Sequence, residues 1–131
     1  HAMAHPLSGR FGVPHGVACA LLTPPVMAFN AIAAPERLAE VGHILGVPRD
    51  PAKTIYEQAY QAAEAFRALM QQLDLPLTLT ELGTRGLARP AITEADLDTL
   101  TADAMLARGM RGRNPRVNGE RDIRALYASV L

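Results

Sequence analysis

A chain of 131 residues makes one domain, and at that length roughly two-thirds of the unfolded surface can be buried without disulfides or structural metal. Its 49% hydrophobic and 20% charged content are globular values, which excludes a disordered or collagen-like polymer. Thirteen basic residues balance thirteen acidic ones, and that net charge of zero argues against a nucleic-acid or membrane-surface binder.

The chain opens His1-Ala2-Met3-Ala4-His5. If His1 to Leu7 is helical, the four-residue step sets His1 and His5 on one face, a turn apart. Ser8 to Pro14, with two glycines and a proline, reads as a loop. His15 to Phe29 is apolar almost all round, as in a helix at the middle of a bundle, and Pro24-Pro25 removes two backbone donors, so a kink or break is expected there. Pro35 to Leu45 predicts a shorter helix with Gly46 at its stop. Ile55, Ala59, Ala62, Phe66, Leu69 and Leu73 mark one face of a long helix, opened by Asp50-Pro51 and closed by Leu75-Pro76. Gly83 to Pro90 reads as a second loop. Thr93-Glu94-Ala95-Asp96 is a capping box with Asp in place of Glu, opening a helix that ends near Gly109. Asn118 is expected to cap a last helix carrying Ile123, Leu126, Tyr127 and Val130. No stretch alternates with the period of a strand, so the fold class is all-α, a bundle of five to seven helices.

Few residues offer chemistry. Cys19 is the sole cysteine, so neither an internal disulfide nor a cysteine-rich zinc site can form, and a reducing, cytoplasmic compartment follows. Its apolar surroundings suggest a buried, inert thiol. No apolar run approaches the roughly 18 residues of a membrane span. His1, His5 and His15 crowd the start of the chain, and imidazoles on adjoining helix ends can converge on a borderline divalent ion. Equally, His1 and His5 can be solvated or tag-derived, and His15 a simple helix-start residue. Arg108, Arg111, Arg113 and Arg116 lie among Gly109, Gly112 and Asn114-Pro115. They form either a phosphate-receiving loop or a solvated loop after a helix C-terminus, where cations are favoured.

The opening block goes beyond spacing. His1-Ala2-Met3-Ala4-His5-Pro6-Leu7, Pro14-His15-Gly16-Val17-Ala18, Ala20-Leu21-Leu22, Pro24, Val26-Met27 and Phe29-Asn30 resemble the C-terminal domain of iron-containing (group III) alcohol dehydrogenases. The Leu38 to Gly46 helix, Glu81-Leu82-Gly83, Asn114-Pro115-Arg116 and Asp122-Ile123 extend the likeness over essentially the whole chain.

The resemblance implies a helical domain that holds a divalent metal, iron and sometimes zinc, beside a Rossmann-like N-terminal domain for NAD or NADP. The family ligates its metal with an aspartate and three histidines, and His1 and His15 match the last two. His5 matches a further histidine that lines the nicotinamide side of the cleft, where it contacts the cofactor and can relay a proton. The aspartate, the first histidine and the pyrophosphate loop of the family have no counterpart here. Residues 1–131 are therefore expected to be a single helical domain, the C-terminal part of a larger dehydrogenase and inactive by itself. Its expected partners are a small alcohol or aldehyde, the cofactor-binding domain and, as an open option, a second copy, with no nucleic acid and no membrane. The rival is a helical interaction or structural module that keeps the fold without the chemistry. The chain departs from the family pattern at Ser8, where glycine is usual, at Cys19, where asparagine is common, and at the added Pro25.

Overall fold

The helical periods resolve into eight α-helices and no strand in a computed structural model that describes residues 1–131. In chain order they are α1 (Ala4–Phe11), α2 (His15–Asn30), α3 (Pro35–Ile44) and α4 (Ile55–Gln72), followed by α5 (Leu79–Thr84), α6 (Leu97–Leu106), α7 (Arg108–Arg111) and α8 (Glu120–Ala128). The count exceeds the expected seven because α5 and α7, six and four residues long, are too short for a 3.6-residue period to register.

Side-chain caps, more than apolar periodicity, set where the helices begin. The long helix starts at Ile55 and not at Asp50-Pro51, because Thr54 and Glu57 bond reciprocally: Glu57 N–H donates to Thr54 Oγ1 at 3.2 Å, and Thr54 N–H to the Glu57 carboxylate at 2.7 Å. Thr93 N–H and its hydroxyl both donate to Asp96 Oδ2, at 2.8 and 2.9 Å, as the Asp-for-Glu capping box implied. A 3₁₀ turn, Glu94–Asp96, leads into α6 there. Gly119, not Asn118, precedes α8, its N–H donating to Asp122 Oδ2 at 2.8 Å. Asn118 instead accepts from the Arg111 guanidinium at its side-chain and backbone oxygens, at 3.0 and 3.1 Å.

Of the kink or break expected at Pro24-Pro25, no break occurs: α2 runs unbroken from His15 to Asn30, with Pro24 buried. Tertiary packing holds what proline would otherwise disrupt. α2 touches α1, α4 and α8 and divides the interior in two. On one side Ala18, Leu21 and Leu22 meet Leu7, Leu100 and Tyr127. On the other, Met27 meets Ala62, Ala63 and Phe66, the seam with α3 and α4. Leu7, Leu82 and Leu100 are all at 0% exposure, each stabilising the fold by about 1.5–3 kcal/mol relative to an exposed side chain. Where α3 crosses α4, Gly42 lies so close to Ala62 that an added Cβ would stand 3.2 Å from the alanine methyl.

Three contacts hold α1 and the turn before it in place. Tyr127 is wholly buried on α8 and its hydroxyl donates to the Met3 carbonyl at 2.6 Å. Arg10 on α1 forms a two-pronged ion pair with Asp103 on α6. The Arg89 N–H donates to the Phe11 carbonyl at 2.8 Å, pinning the C-terminal end of α1.

Candidate metal centre

α1 begins at Ala4, later than the sequence reading supposed, yet His5 N–H still donates to the His1 carbonyl at 3.1 Å. The turn from His1 to Met3 thereby keeps the two histidines on one side. The reversal is also shorter than expected. Ser8 to Phe11 continues α1, and only Gly12 to Pro14 form the loop. Gly12 makes the turn with φ of 67°, a left-handed conformation that favours a residue without Cβ. Gly12 reverses the chain, and the Val13 N–H donates to the Leu7 carbonyl at 3.3 Å, so the short connection folds back against α1. The start of α2 thereby lies beside the start of α1, where His15 faces His1.

The imidazoles meet at these adjoining N-termini. His1 Nδ1 and His15 Nε2 are 3.3 Å apart, with the rings nearly parallel and their centroids at 5.3 Å. His5 stands alongside, its centroid 6.4 Å from His1 and 5.4 Å from His15. One nitrogen from each of the three rings lies within 4.8 Å of the other two. All three residues are exposed, and no carboxylate is among their hydrogen-bond partners. Such a nitrogen-rich, open cluster suits a borderline divalent ion better than Mg²⁺ or Ca²⁺, which demand oxygen. Its spacing fits as well: two donors about 2.1 Å from a tetrahedral ion stand about 3.4 Å from each other.

Cys19 departs from its expected place. It is half-buried, not sealed in the core, and its Sγ lies 3.4 Å from His15 Nε2 and 3.6 Å from His1 Nδ1. The signal was available in the sequence, since Cys19 follows His15 by four residues and shares its helix face. His1 and Cys19 also border a cleft of about 480 Å³ with walls of Leu22, Val26, Met27 and Phe29.

The arginine cluster divides. Arg108, which opens α7, and Arg113 beyond it are exposed to solvent. Arg111 and Arg116 are structural: Arg116 donates to the Phe29 carbonyl at 2.8 Å with its guanidinium 3.9 Å over the Phe29 ring. Beside them the Asn30 and Asn114 amides pair reciprocally at 2.9 and 2.7 Å. These contacts fasten the end of α2, and with it the far wall of the cleft, to the segment before α8. Spacing gave no hint of that pairing, because its partners lie 84 residues apart.

The fold and the site define an all-helical domain with a histidine cluster at the margin of an apolar cleft. The model of the Fe-containing alcohol dehydrogenase family, C-terminal part, matches residues 1–131, and the chain belongs to that family. It is 35% identical over 131 residues to 1,3-propanediol dehydrogenase of Klebsiella pneumoniae, matching all of this chain and 31% of that protein. Lactaldehyde reductase of Escherichia coli K12 is 35% identical over 127 residues, 97% of this chain and 31% of the relative. The crystal structure of a 1,3-propanediol oxidoreductase superposes with a TM-score of 0.87 at 31% identity, over all of this chain and 32% of the other. The chain thus spans about a third of the length of the relatives it matches. No helix is long and apolar enough to cross a membrane.

Proposed function

We propose that these 131 residues form the metal-holding helical domain of an NAD(P)-dependent alcohol dehydrogenase that interconverts a small alcohol and its aldehyde. The observation that carries this reading is the approach of His1 Nδ1 and His15 Nε2 to 3.3 Å at the margin of an apolar cleft, in a chain of this family. His1 and His15 supply two ligands to a divalent ion, Fe²⁺ or Zn²⁺, and an aspartate and a histidine outside these residues supply the others. The ion when bound provides a Lewis acid that lowers the pKa of an alcohol hydroxyl. The cleft walls, Leu22, Val26 and Met27 among them, receive the carbon chain and keep water from it. His5 lies beside the ligand pair without a hydrogen bond to either ring, leaving its nitrogens free to take up and pass on the hydroxyl proton. His5 would face a nicotinamide cofactor held by the partner domain, which would supply the hydride exchange.

The test separates ligands from the proton relay. In the full-length enzyme, His1→Ala and His15→Ala should each strip the metal. His5→Ala should retain it while turnover falls on the order of 10²-fold, the usual scale for a general acid–base group. Unchanged metal content in the His15→Ala enzyme would overturn the reading. The 131-residue chain alone should show no NAD(P)-dependent alcohol oxidation.

A further inference from the structure

At the joined starts of α1 and α2, three donor atoms close a small triangle. Its edges are 3.3 Å from His1 Nδ1 to His15 Nε2, 3.4 Å from Cys19 Sγ to His15 Nε2, and 3.6 Å from Cys19 Sγ to His1 Nδ1. An ion bound tetrahedrally by nitrogen at about 2.0–2.1 Å and by sulfur at about 2.3 Å spaces its nitrogen pair about 3.4 Å and each nitrogen–sulfur pair about 3.5–3.6 Å. All three edges agree with those spacings to within about 0.2 Å.

We propose that Cys19 Sγ is the third donor from this chain to the divalent ion held by His1 and His15, so that the chain presents a His–His–Cys face to the metal, and the aspartate and histidine outside these residues would complete a five-donor set. The inference rests on the reading of His1 and His15 as ligands and adds to it. Cys19 lies one turn beyond His15 on the same face of α2, so its direction is set by the helix and not by a mobile loop. Its thiol has no hydrogen-bond partner apart from the two imidazoles, while its carbonyl is occupied by the Thr23 hydroxyl at 2.7 Å. It also borders the cleft, so an ion seated over the triangle would face a small molecule there. His5 is adjacent but bonds to none of the three atoms. As the sulfur–metal bond forms, the thiol proton passes to solvent. A soft thiolate in the set tilts metal choice toward zinc and cobalt and away from iron.

The experiment titrates Co²⁺ into the 131-residue chain with the His1 amino group acetylated, so that an amine–imidazole chelate does not form. The expected result is a thiolate-to-cobalt charge-transfer band that saturates at one equivalent and vanishes in both Cys19→Ser and Cys19→Ala. The serine variant should still bind Co²⁺ through its imidazoles, at least about 10-fold more weakly, and helical circular dichroism should be unchanged. Bound Co²⁺ should also slow alkylation of Cys19 by iodoacetamide about 10-fold or more, because a metal-held thiolate is no longer a free nucleophile. Co²⁺ bound with d–d bands alone, or a charge-transfer band surviving in Cys19→Ser, overturns the thiolate ligand and leaves the histidine pair standing. No Co²⁺ bound overturns the three-donor face, and binding indifferent to His15→Ala overturns the pair and the proposal together.

Discussion

Tyr127→Phe removes a single oxygen from the centre of the molecule and tests whether α8 anchors the turn that carries His1. Tyr127 is at 0% exposure and its hydroxyl donates to the Met3 carbonyl at 2.6 Å, across 124 residues of chain. A buried hydrogen bond is worth about 0.5–1.5 kcal/mol net, and an acceptor left without its partner costs about 1–3 kcal/mol. The expected loss is therefore about 1.5 kcal/mol. With an unfolding entropy of about 2.1 cal/mol/K per residue, that lowers the melting temperature of this chain by about 5 °C. Burial, with the nearby Asp103 charge adding to it, pushes the Tyr127 phenol far above its ordinary value. The native state therefore keeps a proton that the unfolded state releases above about pH 10. The stabilisation tied to that proton is present in full below pH 10 and is lost as pH climbs further. Thermal unfolding followed by circular dichroism at pH 7 and again above pH 10 checks both parts. The variant should melt lower at pH 7, and the gap from wild type should narrow in alkali. Equal melting temperatures at pH 7, or a gap that does not change with pH, would refute the anchoring role.

Gly12→Ala meets no atom within 4 Å, so its cost is the left-handed backbone alone, about 1–2 kcal/mol, read from a urea unfolding curve. Gly42→Val forces branched carbon against Ala62, whose backbone cannot yield cheaply, and should cost about 1–3 kcal/mol in the same assay. Arg10 holds the Asp103 carboxyl below the usual range through its hydrogen bond, so the pair stabilises above the ordinary aspartate value and its contribution fades as pH falls through the depressed one. Asp103→Asn should accordingly melt below wild type at neutral pH, with the two profiles converging in acid.

Much of this molecule follows from local pattern. A 3.6-residue apolar period, a Thr-x-x-Asp cap and a proline at a helix start act over a single turn, so α3, α4 and α6 could be placed without knowing their neighbours. The histidine spacing and the opening motif carried the family, because the residue types at those positions are too specific for a generic helix. The continuity of α2 through Pro24-Pro25 required the helices around it, since packing can offset lost backbone bonds that local rules count as fatal. Arg111 and Arg116 became clamps only when Asn118 and Phe29 arrived beside them. Cys19 met two imidazoles only because the short reversal at Gly12 to Pro14 returned α2 to the start of α1. Sequence alone supplied the imidazoles, with the chemistry a divalent ion would need and their spacing along one chain. Tertiary structure decided which of their atoms face a common point, because that depends on the meeting of two helix ends, which no one-dimensional period encodes.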